Sequence, residues 1–425
     1  MQQRVVITGM GIWSCIGEDV KAVEQSLRLG RSGIGTDPRR TEYGYQSPLT
    51  GIVPVPDLSH EGLRRSQRMC LSEAGRYAYM AVKQALEQAP ITDRHRVGLI
   101  VSNDSTACEL AEVEDIMRLH HDSRRLGAGA VFRSLNSTVS MALASIFGIG
   151  GISLTVSAAC AGGGHAVGLA LSLIRSGQVD ACIVVGAQEV GLHAYTSFDA
   201  LGIFSQRADD PEKASRPFDA ARDGLVPSGG AACVILESAE HAAMGNRKPM
   251  ATVRGYGFCT SPDIVTPSAE SIFRCMSNAI RDADINPEQL SMIMAHATST
   301  QDGDRAEADA LLSLSLWLPK YTCGVGKPIG NPFVVSTKCL TGHECWMSGV
   351  SQVVYALIQM QGGFVAPHIN LEQPEPAAAR LNIPTKPTVT DIDHVLCNAF
   401  GFGGTNSSII ISKPNVPSAD GHSSL

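Results

Sequence analysis

A short β-type run that ends in Gly-x-Gly occurs twice, at the start of the 425-residue chain and again past its middle. The first is Val5-Val6-Ile7-Thr8 into Gly9-Met10-Gly11, and the second is Ala251-Thr252-Val253-Arg254 into Gly255-Tyr256-Gly257. Strand-like runs follow each and alternate with helical patterns. The first half reads as strands at 97–102, 152–156, 181–186 and 231–236, with helices at 18–29, 64–88, 104–128, 135–147 and 166–174. The second reads as helices at 268–284, 303–314 and 348–361, with strands at 290–295, 394–399 and 407–412. Two halves built alike predict an internally duplicated α/β protein. A polar stretch, 237–249, marks the junction, which puts the halves at 1–247 and 248–412. The polar, Pro-containing tail 413–425 is expected to be disordered, and the Pro/Gly-rich stretch 34–60 irregular. The opening glycine turn lacks the third glycine of a dinucleotide loop, and no acidic residue ends a second strand at the right distance. Nucleotide binding is not expected.

Composition narrows the partners. A net charge of −7 argues against a dedicated nucleic-acid binder. No apolar stretch reaches membrane-spanning length, and Met1–Met10 runs into a strand without a leader-like pattern, so a cytoplasmic protein is expected. The 12 cysteines are scattered with no CxxC pair, so neither a metal site nor a disulfide framework is expected.

Four stretches carry possible chemistry. Ile152–Val156 leads into Ser157-Ala158-Ala159-Cys160-Ala161-Gly162-Gly163-Gly164, so Cys160 sits at a strand-to-helix turn with little bulk around it. Free helix N–H groups and the positive end of the dipole there favour the thiolate. Alone, the same pattern also suits a buried structural cysteine. His296 ends a strand in Met294-Ala295-His296-Ala297-Thr298-Ser299-Thr300, with Asp304 and Glu307 beyond. Lys338 and His343 lie in Ser336-Thr337-Lys338-Cys339-Leu340-Thr341-Gly342-His343. The fourth is Asn398-Ala399-Phe400-Gly401-Phe402-Gly403-Gly404-Thr405-Asn406. Each has a plain structural alternative: a satisfied core histidine, a surface turn, a glycine-rich reversal. Arg64, Arg65 and Arg68 form a basic cluster that is either a solvated helix face or a docking patch for an acidic partner. His120-His121 reads as a surface pair.

Taken together these motifs, with SRPFDAARDG at 215–224, resemble the β-ketoacyl–acyl carrier protein synthases, condensing enzymes with a Cys–His–His triad. The resemblance runs from VVITGMG to FGFGGTN, nearly the whole chain. It implies the thiolase fold, two duplicated α/β halves in five αβαβα layers, as a dimer. It implies Cys160 as nucleophile, His296 and His343 facing the malonyl thioester, Lys338 and Glu307 holding the histidine environment, and an oxyanion hole from the N–H groups of Cys160 and Phe402. Phe400 matches the gating aromatic, Thr298 and Thr300 the hydroxyls that bind pantetheine. Arg64, Arg65 and Arg68 fall where the family docks acyl carrier protein. The implied reaction is decarboxylative condensation of a malonyl group with a Cys-bound acyl group, substrates being carried on the phosphopantetheine arm and no other cofactor being needed.

Ala297 stands where the family has glycine, and Glu344-Cys345-Trp346-Met347 where it has small or apolar residues. A charge and an indole there are expected to reshape the acyl pocket or alter His343. They point to a specialised type II polyketide or polyene pathway rather than housekeeping fatty-acid synthesis, with a homodimer or a heterodimer with a chain-length factor. The alternatives are a non-catalytic chain-length factor, which the intact triad opposes, and a coenzyme A-dependent thiolase, which would use a second cysteine as base.

Overall fold

The computed structural model describes residues 3–264, 266–315 and 331–414. Ten strands form one sheet: β1 (Val5–Ser14), β2 (Val97–Ser102), β3 (Ser153–Val156), β4 (Ala181–Gln188), β5 (Gly230–Ser238), β6 (Ala251–Thr260), β7 (Met292–Met294), β8 (Phe333–Val335), β9 (His394–Phe400) and β10 (Thr405–Ser412). Their spatial order is β8-β7-β9-β10-β6-β1-β5-β4-β2-β3. Counted within its half, each set of five lies in the order first-fifth-fourth-second-third. The pairing repeats as well: β1–β5 and β5–β4 are antiparallel, β4–β2 and β2–β3 parallel. In the second half β6–β10 and β10–β9 are antiparallel, β9–β7 and β7–β8 parallel. The two Gly-x-Gly runs meet at the seam, where Val5, Val6 and Ile7 pair with Val253, Thr252 and Ala251.

Five helices complete the layers: α1 (Glu73–Gln88), α2 (Gly162–Arg175), α3 (Ala269–Ala283), α4 (Gln301–Ser315) and α5 (Ser348–Gly362). α1 covers the outer face of the first half and α3 that of the second, while α2 and α5 lie together between the two. The strands are therefore covered on both faces. On β4, Val184 joins the central core, whereas Ile183 and Val185 join the core under α1, the period of two that a buried strand requires. Every residue from Ser348 to Met360 is buried, which only a helix enclosed on all sides shows.

The two central helices meet backbone to backbone. A Cβ on Gly349 would lie 2.0 Å from the amide nitrogen of Gly164, and one on Gly163 would lie 2.8 Å from that of Gly349. Glycine is required here for close approach, not for its dihedral freedom.

Some sequence expectations shift. The helix expected over 64–88 is two: Arg65–Met69, then α1, begun by Ser72 whose Oγ accepts from the Gly75 N–H at 3.1 Å. Arg64 and Arg65 therefore sit on a separate short turn. The stretch 34–60 is not wholly irregular, since Ile34–Thr36 and Leu49–Gly51 pair around a helix at Pro38–Tyr43. Residues 415–425 of the expected disordered tail lie outside the described residues, whereas the Lys413 N–H donates to the Asp393 carbonyl at 2.9 Å. Among the described residues no helix is long and apolar enough to cross a membrane.

Placing a branched side chain at the crossing should separate the helices. Gly349→Val is expected to cost on the order of 3 kcal/mol and to lower the melting temperature clearly; a melting curve matching the parent's would contradict this account of the crossing.

Candidate active site

The carboxyl ends of β2, β3, β7, β8 and β9 all open on one place, and the chemistry-bearing residues follow them directly. Asp104 follows β2, Cys160 follows β3, His296 follows β7, Lys338 and His343 follow β8, and Phe400 ends β9. Ligand sites at the carboxyl ends of parallel strands are the general rule for open α/β sheets.

Cys160 is buried one turn ahead of α2, in a short 3-10 segment, Ala159–Ala161. Ala159 is held at φ 46°, a left-handed conformation that costs a non-glycine residue about 1–3 kcal/mol. The Asp104 carboxylate stabilises it by accepting from the Ala159 N–H at 2.9 Å and from the Ser157 hydroxyl. The Cys160 Sγ lies 3.0 Å from His343 Nε2. A hydrogen bond from Cys345 has the largest influence on Cys160 and holds its thiol well below the ordinary value. Burial opposes this, and His343 and Lys338 reinforce it. Cys345 is itself pushed well above the usual thiol range, by that same hydrogen bond and by burial.

His296 stands beside His343 with ring centroids 5.2 Å apart and planes at 87°. Burial, then Lys338 and His343, depress its pKa well below the usual imidazole value, so the ring is neutral. Its loop is held from several sides. Glu307 on α4 accepts from the N–H groups of His296 (2.9 Å) and Ala297 (2.7 Å), and from Asn398 Nδ2 (3.0 Å). Ser336 Oγ donates to the Ala297 carbonyl at 2.7 Å, and Gln352 Nε2 to that of Ala295 at 2.8 Å. The SRPFDAARDG stretch lies underneath. Arg216 pairs with Asp219 at 3.0 Å and Arg222 with Glu375 at 2.7 Å, both almost fully buried. Asp304 accepts from the Phe218 and Ser299 N–H groups. Lys338 is buried with its Nζ lacking a hydrogen-bond partner among the described residues, as does His296 Nδ1. Burial lowers the Lys338 pKa, against the pull of Glu307 and Glu344.

A cavity of about 510 Å³ opens over these groups, lined by Cys160, His296, His343 and Cys345 among others. Thr298 and Thr300 line it with hydroxyl oxygens 3.1 Å apart. Phe400 packs on His296 at 5.6 Å between centroids. The Phe402 ring is half-exposed, and Gly401 brings its backbone against the nucleophile turn. A Cβ on Gly401 would sit 3.0 Å from the Cys160 nitrogen. The structure thus gathers Cys160, His296, His343, Thr298, Thr300, Phe400 and Phe402 on one cavity, with Lys338 and Glu307 buried behind. It does not bring Arg64, Arg65 or Arg68 there: Arg64 and Arg65 are exposed without an ion pair among the described residues, and Arg68 donates to the Leu63 carbonyl at 3.0 Å.

The departures take unexpected places. Glu344 turns away from His343, accepting from Ser351 Oγ and Tyr355 Oη at 2.6 Å each, and burial raises its pKa to about 7. Trp346 is buried behind the cavity wall and packs on Phe198, 6.2 Å between centroids. The indole itself is not part of the cavity lining, whereas Phe198 is. The sequence reading missed Cys345, whose thiol donates to the His343 carbonyl at 3.7 Å and lies within 4.8 Å of the Cys160 sulfur, and Asp104, which holds the turn. Neither has a sequence signal, because both meet the Cys160 turn across the fold.

A duplicated α/β fold thus gathers a polarised thiol and two imidazoles on one cavity, a candidate nucleophile with hydrogen-bonding rings beside it. Residues 2–242 match the family described as beta-ketoacyl synthase, N-terminal domain, and residues 250–372 match its C-terminal domain. The chain is 34% identical to the 3-oxoacyl-[acyl-carrier-protein] synthase 1 of Haemophilus influenzae, over 97% of this chain and all of the relative. A beta-ketoacyl synthase crystal structure from Burkholderia phymatum superposes with a TM-score of 0.88 at 27% identity, covering 97% of this chain and 99% of that one. The ishigamide ketosynthase/chain length factor structure gives 0.86 at 26%, covering 97% and 100%. The chain belongs to the β-ketoacyl synthase family.

Removing the thiol that donates to Cys160 should raise the pKa of Cys160, since the thiolate loses a stabilising donor. In Cys345→Ala the pH midpoint for iodoacetamide alkylation of Cys160, followed by peptide mass spectrometry, is expected to move upward. An unmoved midpoint would remove Cys345 from the electrostatics of the site.

Proposed function

We propose that the protein extends acyl chains by decarboxylative Claisen condensation on acyl carrier protein. The Cys160 thiolate attacks the carbonyl of an acyl–carrier thioester, and the carrier's pantetheine thiol leaves. A malonyl–carrier thioester then loses its carboxylate as carbon dioxide, and the electron pair passes to the α-carbon and thioester oxygen as an enolate. Donors on that oxygen stabilise the charge where it develops, the role assigned to His296 and His343. The α-carbon attacks the Cys160 thioester and the Cys160 sulfur leaves, giving a β-ketoacyl thioester two carbons longer. The N–H groups of Cys160 and Phe402 are the proposed oxyanion hole, Thr298 and Thr300 the hydroxyls that seat the pantetheine arm, and Phe400 the gate. Lys338 and Glu307 act through the histidine environment. The reading rests above all on Cys160 Sγ lying 3.0 Å from His343 Nε2 on the floor of a deep cavity, with His296 alongside.

One observation favours a second reading. Cys345 places a second thiol beside Cys160, as a coenzyme A-dependent thiolase would need. Its raised pKa makes it a donor rather than a base, and the family match favours condensation. Release of carbon dioxide separates the two. Cys160→Ala is expected to lose acyl loading, seen by intact-protein mass spectrometry. Cys160→Gln, which mimics the acylated state, should still decarboxylate malonyl carrier protein. Full condensation by the alanine variant, or carbon–carbon bond formation without carbon dioxide, would overturn the proposal. The same assay with saturated and conjugated acyl carriers decides the pathway. Loading confined to conjugated or aromatic chains places the protein in specialised biosynthesis.

Carrier-protein docking through Arg64, Arg65 and Arg68 is supported by the exposure of the first two and their lack of ion pairs among the described residues. A reducing cytoplasmic setting fits the described cysteines, all of them free thiols. Association through β3 is supported by its place at the sheet edge, with Leu154 exposed on it and Ile152 exposed just before it. The wild type should sediment as a dimer, and Leu154→Glu should shift it towards monomer. A wild type that is monomeric alone and dimeric only with a second subunit would mean a heterodimer.

A further inference from the structure

We propose that Cys160, His343 and Cys345 bind a borderline-soft divalent cation of the zinc type, which competes with acylation of Cys160. The three ligand atoms, two sulfurs and an imidazole nitrogen, all lie within 4.8 Å of one another and all three residues are buried. Zinc–sulfur bonds of about 2.3 Å and a zinc–nitrogen bond of about 2.0–2.1 Å, arranged tetrahedrally, separate the ligand atoms by roughly 3.5–3.8 Å. The 3.0 Å between His343 Nε2 and Cys160 Sγ needs only to open slightly. Three protein ligands leave a fourth position facing the cavity, the pattern of an open zinc site rather than a closed structural one. Ser348 Oγ, 3.4 Å from His343 Nδ1, is placed to orient the ring from behind.

Charge also fits. Two thiolates cancel a divalent ion, so the loaded site is neutral and suits a buried position. Cys345 releases its proton on binding, and Cys160 enters as the thiolate. Lys338 opposes the cation, and its charge is countered by Glu307 and Glu344 behind it. The donor set is soft enough to exclude magnesium and calcium, which take oxygen ligands. The usual sequence signature of such a site is missing, because Cys160 comes from the first half of the chain and the His343-x-Cys345 pair from the second.

Binding is independent of the reaction; only its consequence, blocked acylation, rests on the proposed role of Cys160. The test is therefore made without substrate, on full-length reduced protein kept anaerobic. Cobalt(II) serves as the spectroscopic probe, and zinc is titrated against a chromophoric chelator. One ion per chain is expected, with the intense visible bands of tetrahedral cobalt and a near-ultraviolet sulfur-to-cobalt charge-transfer band. Cys345→Ala and Cys345→Ser should each lose at least about 100-fold in affinity. Circular dichroism reports whether they fold, and if neither does, the wild-type cobalt spectrum still decides. A pale octahedral spectrum without the charge-transfer band overturns the proposal, as does unchanged affinity in both folded variants. Loss of acyl loading in Cys160→Ala bears on the condensing reading alone.

Discussion

The contact between α2 and α5 at Gly163, Gly164 and Gly349 is the constraint on which the site depends. Cys160 lies just before one of these helices and His343 just before the other. Bringing the two starts together at backbone distance places a sulfur and an imidazole within 3.0 Å although 183 positions separate them in sequence. It also brings two helix N-termini, the positive ends of their dipoles, towards the same sulfur and imidazole. A side chain at Gly163 or Gly349 would widen the crossing, whereas one at Gly164 would meet Ser407 of β10, 2.2 Å from its Oγ.

Behind that contact lies a buried set of charges that stabilises the site only as a set. Lys338, Glu307, Glu344 and Asp304 are all essentially inaccessible. Burial lowers the lysine and raises the three carboxyls, Asp304 and Glu344 each to about 7. Each acid is nonetheless hydrogen-bonded: Glu307 to the His296 loop, Asp304 beneath Ser299, Glu344 to Ser351 and Tyr355. Removing one member would leave the others uncompensated, which costs more than the pair contributes. Glu307 and Asp304 therefore hold backbone in place and Glu344 holds two hydroxyls of α5, and the imidazoles stay free to face the cavity.

Much of this was legible in the chain. The two Gly-x-Gly runs announce a duplication because strands that pair closely under a helix need glycine, and Gly9, Gly11, Gly255 and Gly257 do face helix backbone. The small residues around Cys160, and the histidines at 296 and 343, mark their own turns. What was not legible depends on contacts between distant segments. Cys345 looked like part of a departure that would crowd the acyl pocket. Its φ of 41° instead goes with a thiol that lies within 4.8 Å of the Cys160 sulfur. Trp346 was expected at the pocket and lies one ring behind it, and Glu344 was expected against His343 and turns the other way. The break between Met69 and Glu73 escaped because charged and apolar residues there keep helical spacing; only the Ser72 cap shows that a new helix begins.

The repeated topology also explains how one site acquires unlike groups. The second strand of each half is followed by a residue that addresses the centre: Asp104 after β2, His296 after β7. The third strand of each half leads to a residue beside a buried helix: Cys160 after β3, His343 after β8. The positions are equivalent and the chemistries are not. Asp104 accepts from the Ala159 N–H and so fixes the turn that carries the sulfur, whereas His296, its counterpart, offers a neutral ring to the cavity. A homogeneous duplication would have put two thiols or two imidazoles at the crossing. Because the halves differ, the crossing joins a polarised thiol to an imidazole, and the second-strand positions are left to supply a tether on one side and a hydrogen-bonding ring on the other.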